Sequence, residues 1–195
     1  MTAPQKAKLF IVSAPSGSGK TTLCRKLLKS GLGLADSVSM TTRPPRPGEK
    51  DGVDYIFVSG PRFRREIKKS GFLEYEENFG HLYGTPRAFI EKNIRKGVNV
   101  LLSIDVKGAM KVARAHPAAS ILIFILPPSV KELKKRLHLR KADSAQVIAR
   151  RLAIAKKEMV YKKKYDYRIV NDRIPEAYKK LKGIIEKETQ KRERL

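Results

Sequence analysis

The chain has 195 residues, 41% of them hydrophobic and 32% charged, which is enough to bury the core of one domain. Its apolar runs are too short to cross a bilayer, its N-terminus is unlike a signal peptide, and Cys24 is its single cysteine. We therefore predict a cytoplasmic protein, monomeric or homodimeric, without a membrane partner, an internal disulfide or a cysteine-based zinc site. The net charge of +24 suits phosphate-bearing ligands, but without a recognisable nucleic-acid-binding module it does not predict RNA or DNA as a partner.

Apolar stretches rich in β-branched residues alternate with helical patterns along the chain. Buried strands are predicted at residues 9–13, 98–104 and 121–126, with a short further strand at residues 169–170. Helices are predicted over residues 20–29, 61–69, 86–96, 106–115, 129–139, 144–160 and 175–192. Such alternation is typical of an α/β layered fold with a parallel sheet, in which ligands bind at the carboxyl ends of the strands.

The segment between the first predicted strand and the first predicted helix is the most informative in the chain. It reads Ala14-Pro15-Ser16-Gly17-Ser18-Gly19-Lys20-Thr21. Gly17 and Gly19 allow backbone N–H groups to close around phosphate oxygens. Lys20 can reach the β- and γ-phosphates, and the Thr21 hydroxyl can ligate Mg²⁺. Ala14 stands where the usual pattern has glycine. The alternative is a Gly/Ser-rich surface turn, but the predicted strand before the segment and the predicted helix after it argue against that alternative. We therefore predict a phosphate-binding loop for a nucleoside triphosphate.

Residues 38–60 and 72–83 break the alternation and predict a small mixed insertion of short strands and loops. Within it, Arg43 and Arg46 lie three residues apart in a loop bounded by prolines, and planar guanidinium groups suit a phosphate dianion. The Glu74 carboxylate can accept hydrogen bonds from N1–H and the exocyclic amine of guanine, whereas adenine has an acceptor at N1. Tyr83 and Thr85 add a phenol and a hydroxyl. The insertion therefore predicts a site for a phosphorylated guanine nucleotide.

Several motifs in a fixed order make the chain resemble the guanylate kinase family over residues 7–186. They are the loop at residues 14–21, Thr41-Thr42-Arg43-Pro44-x-Arg46-x-Gly48-Glu49, Asp54-Tyr55-x-Phe57, Tyr83-Gly84-Thr85, Ile104-Asp105-Val106-x-Gly108, Pro127-Pro128-Ser129 and Val170-Asn171-Asp172. The resemblance implies a three-layer P-loop kinase fold with a parallel central sheet. It also implies that residues 1–195 form one domain, with a core, an inserted mixed α/β GMP-binding subdomain and a helical lid. The core would comprise residues 7–37, 90–135 and 152–195, the insertion residues 38–89 and the lid residues 136–151.

The resemblance assigns residues to the GMP side of the site. Two arginines and two tyrosines would hold the GMP phosphate: Arg43, Arg46, Tyr55 and Tyr83. The guanine edge would be read by Ser39, Glu74 and Thr85. Ser103 stands where the family usually carries an aspartate near the guanine, so one carboxylate is lost from this pocket. Each assignment has a structural alternative. The two tyrosines could be core residues at the edge of a strand, and Glu74 could be a surface charge.

The resemblance also assigns residues to the ATP side. Residues 14–21 would bind the triphosphate, and Asn171 would lie beside the adenine. Arg136 and Arg140 match arginines that close over ATP, and Arg151 matches one near the transferring phosphoryl group; a solvated helix face is the alternative for these arginines. Asp105 follows a predicted buried strand. It would bind Mg²⁺ through water, or would cap the helix that begins near residue 106.

The activity implied by the resemblance is transfer of the γ-phosphoryl group from MgATP to GMP, giving ADP and GDP. Lys20 and the three arginines of the lid region would stabilise the transferring group. Three alternatives stay open: a non-catalytic binding module of the same fold, a kinase for another phosphorylated small molecule such as a sugar phosphate, and a nucleic-acid binder. The intact Lys20-Thr21 pair argues against the first alternative, and Ser103 is the one residue in favour of the second.

Overall fold

The computed structural model of the protein describes residues 7–139 and 145–191. The strands are β1 (Leu9–Ser13), β2 (Ala35–Asp36), β3 (Met40–Thr41), β4 (Ile56–Phe57), β5 (Phe72–Asn78), β6 (His81–Pro86), β7 (Val100–Ser103), β8 (Ser120–Leu126) and β9 (Tyr167–Val170). The α-helices are α1 (Lys20–Leu28), α2 (Gly60–Lys68), α3 (Arg87–Arg95), α4 (Val106–Ala115), α5 (Val130–His138), α6 (Ala145–Val160) and α7 (Ile174–Gln190). A 3₁₀ turn, Tyr161–Lys164, follows α6.

Five parallel strands form the central sheet in the order β2-β7-β1-β8-β9. β1 lies in the middle, where Leu9 pairs with Val100 on one side and Ser120 on the other. Every residue of β1 is buried, because both faces of the sheet are covered, as expected for parallel strands. The predicted three-layer fold with a parallel central sheet is confirmed.

The two faces of the central sheet pack against different helices. Phe10 and Val12 point into a core shared with α1 and α7, which includes the buried Cys24. Leu9 and Ile11 point to the opposite core, which α3 and α4 cover. This alternation follows from the period of two along a strand, since adjacent side chains enter opposite layers.

The second sheet has four strands in the order β4-β3-β6-β5. β3 and β4 are parallel, whereas β3–β6 and β5–β6 are antiparallel. A small core of its own contains Met40 and the stacked rings of Phe63 and Phe72, whose centroids are 4.4 Å apart. This mixed sheet lies where the sequence predicts short strands and loops, although the pattern does not predict the two-residue strand β3 individually.

The helix predicted over residues 129–139 is confirmed as α5. Helix α5 continues through His138, because Leu133 and Leu137 are both fully buried and extend its apolar face. Arg136 therefore lies on a helix, while residues 140–144 fall outside the described part of the chain. Over the described ranges, none of the helices is long and apolar enough to cross a membrane.

Candidate active site

The loop between β1 and α1 has the backbone of an anion cradle. Gly17 and Gly19 have φ angles of 90° and 84°, which residues with a Cβ atom rarely adopt. Gly19 directly precedes α1, so the free N–H groups and the positive dipole end of that helix point toward the loop. This arrangement suits a bound polyphosphate.

Packing beneath the loop explains why these two positions are glycines. A Cβ on Gly17 would lie 3.1 Å from side-chain carbons of Leu133 and Leu137, and one on Gly19 would lie 2.3 Å from the Nδ2 atom of Asn171. The Asn171 amide donates a hydrogen bond to the Ser18 carbonyl over 2.8 Å and is only 1% exposed. Asn171 thus supports the loop from below; its predicted contact with adenine stays a prediction.

Lys20 lies at the junction of the loop and the central sheet. Its Nζ atom donates a hydrogen bond to the Ile104 carbonyl over 2.9 Å. Burial lowers the pKa of the Lys20 ammonium, and the nearby carboxylates of Asp105 and Glu158 act in the opposite direction. This bond holds a buried cation at the edge of the cleft, where a phosphate would be its natural partner.

Across the cleft, the loop after β3 is organised by one acid. Glu49 accepts two hydrogen bonds of 2.9 Å from the Arg43 guanidinium and one of 2.8 Å from the Arg46 backbone N–H. Arg43 also stacks over Tyr55, 5.3 Å from the ring centroid, and the Tyr55 and Tyr83 rings are 5.9 Å apart. Arg43, Arg46, Tyr55 and Tyr83 all border the same cleft, so the structure brings the four residues predicted for the GMP phosphate together.

Glu74 is a buried carboxylate that faces the cleft from β5. The Thr85 hydroxyl donates a hydrogen bond to Glu74 over 2.5 Å, and burial raises the pKa of Glu74 to about 7 despite this bond. Gly108 makes room for the carboxylate, since a Cβ there would lie 2.6 Å from its Oε2 atom. Glu74 borders the cleft, as do Ser39 and Ser103, but Thr85 is fully buried behind Glu74 and does not. Thr85 is therefore placed to hold Glu74, and its predicted contact with guanine stays a prediction.

Asp105 caps a helix and faces the cleft at once. Its Oδ1 atom accepts a 2.8 Å hydrogen bond from the Gly108 N–H at the start of α4, while Oδ2 accepts one from the Asn78 amide. The cap predicted as one of two roles is confirmed, because Asp105 is the N-cap of α4. Asp105 also lines the cleft, so the cap does not remove it from the site.

The structure separates the predicted arginines of the lid region. Arg151, on α6, lines the cleft. Arg136 does not line it: its guanidinium donates to the carbonyl oxygens of Asn171 and Asp172 over 3.0 and 3.3 Å and to Glu132 over 3.0 Å. Arg140 lies outside the described residues.

Sequence reasoning missed several residues that the structure places at the cleft, among them Asn78, Phe79 and Glu158. Glu158 follows Arg151 by seven residues and Ile154 by four, so all three share one face of α6 and line the cleft together. This helical spacing was a signal that could have identified Glu158. Burial raises its pKa to about 7. Asn78 and Phe79 had no comparable signal, because they reach the cleft from a hairpin turn.

The phosphate loop and the arginine–tyrosine pocket open into one cleft of about 280 Å³. A P-loop fold that presents two anion sites to a common space defines the class as a phosphotransferase acting between two phosphorylated ligands.

Comparisons with known proteins specify the family. A family model described as guanylate kinase matches residues 6–188. Guanylate kinases of Wolbachia pipientis wMel and Thermus thermophilus are 46% and 47% identical to this chain, over 98% and 97% of it and 96% and 86% of the relatives. A crystal structure of guanylate kinase from Anaplasma phagocytophilum is 36% identical and superposes with a TM-score of 0.80, covering 95% of this chain and 87% of that one. The chain belongs to the guanylate kinase family, which confirms the resemblance carried by its motifs.

Proposed function

We propose that this protein transfers the γ-phosphoryl group of ATP to GMP, giving ADP and GDP. The single observation that carries the proposal is the common cleft, because it is lined both by Lys20 and the phosphate loop and by Arg46, Tyr55 and Glu74. Two phosphorylated ligands held in one space can react in line, so no covalent enzyme intermediate is required. The acceptor is already an anionic phosphate oxygen, and no strong general base is required either.

On the donor side, the backbone N–H groups of the loop and the Lys20 ammonium would bind the triphosphate. Thr21 would ligate Mg²⁺ directly, and Asp105 would hold it through water. The donor set fits this ion, because Thr21 and Asp105 offer oxygen ligands from the lining of one cleft, and Mg²⁺ characteristically relies on few protein ligands, waters and substrate phosphates. When bound, Mg²⁺ would neutralise charge on the β- and γ-phosphates.

On the acceptor side, Arg46 would be the principal cation for the GMP phosphate. Arg43 is tied to Glu49 by two hydrogen bonds, so it would hold the loop and contribute less net charge to the ligand. Tyr55 and Tyr83 would donate their phenol protons to phosphate oxygens. Burial raises the pKa of Tyr55, which keeps its hydroxyl a donor at neutral pH.

Guanine would be read by the Glu74 carboxylate, which accepts from N1–H and the 2-amino group. Ser39 and Ser103 border the same cleft and would offer hydroxyls to the base. Ser103 also favours a second candidate, a kinase for a different phosphorylated acceptor, because it supplies no charge where the family usually has an aspartate. The intact loop from Gly17 to Thr21 argues against a non-catalytic module.

Transfer would depend on neutralising charge as the phosphoryl group moves. Lys20 and Arg151 border the cleft and would stabilise that charge in the transition state. The roles of Arg136 and Arg140 in closing over ATP stay predictions, since Arg136 is bonded to backbone carbonyls here. The division into core, insertion and lid, location in the cytoplasm, a monomeric or homodimeric state and the lack of a nucleic-acid partner also stay predictions.

A coupled ADP-release assay with MgATP tests the function, with GMP, dGMP, AMP, CMP, UMP and no acceptor measured in parallel. We expect rapid turnover with GMP and little with AMP. Turnover with every acceptor would contradict the assignment of guanine recognition to Glu74.

Substitution of Arg46 separates the two halves of the cleft. Arg46→Ala should abolish most GMP use while fluorescent-ATP binding persists, because Arg46 belongs to the acceptor part of the cleft in this assignment. Arg62→Ala is the matched control, since Arg62 is exposed on α2, and it should behave as the wild type. Equal loss of ATP binding and GMP use in Arg46→Ala would contradict the assignment.

A further inference from the structure

The turn between β5 and β6 has an unusual residue at its tip. Asn78 pairs with His81, so Phe79 and Gly80 form a two-residue hairpin loop with φ angles of 53° and 76°. Two positive φ angles are the mark of a type I′ turn, whose first position favours asparagine, aspartate or glycine. A bulky aromatic residue at this position is strained.

Core packing does not compensate for this strain. The Phe79 side chain is 42% exposed, and Phe79 belongs to none of the apolar clusters found in residues 7–139 and 145–191. The turn itself is anchored, because the neighbouring Asn78 amide donates to the Asp105 carboxylate. A strained, exposed aromatic residue on an anchored turn at the edge of the cleft points to a functional reason for the ring.

Two arginines of α6 lie against this ring. The guanidinium carbons of Arg150 and Arg151 are 5.6 and 5.7 Å from the Phe79 centroid, within the range of a cation–π contact. Arg151 and Phe79 both line the cleft, whereas Arg150 is exposed and does not. The contact joins the hairpin of the second sheet to the helix that carries Arg151.

We propose that Phe79 is a positioning residue that holds the Arg151 guanidinium over the cleft for phosphoryl transfer; the proposal rests on the proposed function. An aromatic face attracts a guanidinium through its quadrupole without carrying a negative charge. A carboxylate in the place of the ring would neutralise the guanidinium and compete with the phosphate for it. The ring thus orients the cation without itself cancelling its charge.

The test replaces Phe79 in the full chain. Phe79→Asn removes the ring and supplies a residue that tolerates a positive φ, so its melting temperature should equal or exceed that of the wild type. We expect kcat to fall about tenfold, with the KM values for GMP and ATP nearly unchanged, because orientation of Arg151 matters most in the transition state. Phe79→Leu keeps an apolar side chain without an aromatic face, so its kcat should fall in the same way. Phe79→Trp keeps an aromatic face, so its kcat should stay close to that of the wild type.

A double-mutant cycle identifies which arginine the ring serves. In an Arg151→Ala background, Phe79→Asn should cause little further loss, whereas in an Arg150→Ala background it should keep its full effect. The proposal is overturned if folded Phe79→Asn or Phe79→Leu has the kcat of the wild type. It is also overturned if Phe79→Asn lowers kcat equally in the Arg151→Ala background. Turnover of GMP by the wild type is measured alongside, since its absence would refute the proposed function and not the role of the ring.

Discussion

Replacing Thr85 with valine removes the hydrogen bond to Glu74 while keeping the size and shape of the buried side chain. In the wild type this bond lowers the pKa of Glu74, and burial raises it by more, to about 7. The carboxylate form is the one that accepts a hydrogen bond from the protonated N1 of guanine. We therefore expect kcat/KM for GMP in the wild type to fall as the pH drops through about 7.

The size of the effect follows from the strength of the lost bond. A hydrogen bond to a charged group contributes about 1.5–3 kcal/mol, and one pKa unit corresponds to about 1.4 kcal/mol, so the pKa of Glu74 in Thr85→Val should rise by about one to two units. At a pH of about 7.5 the ionised fraction, and with it kcat/KM for GMP, should be about three to twenty-five times lower than in the wild type. The difference should close at high pH, where both proteins are ionised.

The assay is kcat/KM for GMP, measured with saturating MgATP from about pH 6 to about pH 9.5, a range that brackets both midpoints. Thr85→Ser keeps the hydroxyl and is the matched control; its profile should follow the wild type. A Thr85→Val profile with unchanged midpoint, or a loss that persists equally at the highest pH, would refute the reasoning. In either case Thr85 would not act through the ionisation of Glu74.

Two further substitutions probe the same cleft. Gly108→Ala would place a Cβ 2.6 Å from the Glu74 Oε2 atom, so we expect a higher KM for GMP. The affinity for ATP in fluorescence titrations should be unchanged. An unchanged KM for GMP would show that the carboxylate moves without cost. Glu158→Gln should stabilise the unliganded protein at about pH 8 by about 2–3 kcal/mol, because burial raises the pKa of Glu158 from 4.5 to about 7 and disfavours its ionised form. This gain in the free energy of unfolding should fade as the pH falls from about 7 toward 4.5, where Glu158 is protonated in the folded state. Urea melts that show the same gain at both ends of this range would contradict the raised pKa of Glu158.

The sequence by itself determined the phosphate loop and the order of the central elements. Both are local patterns: an apolar strand, glycines where φ must be positive, and a helix that begins at Lys20. The family motifs likewise predicted Arg43 and Glu74 as site residues, and the structure places both at the cleft. These inferences needed only the chemistry of neighbouring residues in the chain.

Only the tertiary structure decided how distant residues divide the work around the cleft. Thr85 supports Glu74 through a hydrogen bond, and Phe79 meets Arg151 although the two are far apart in the chain. Asn171 supports a loop 153 residues earlier in the chain. No local pattern encodes these contacts, because the Thr85–Glu74 bond depends on the register of the β5–β6 hairpin and the others depend on how separate elements pack.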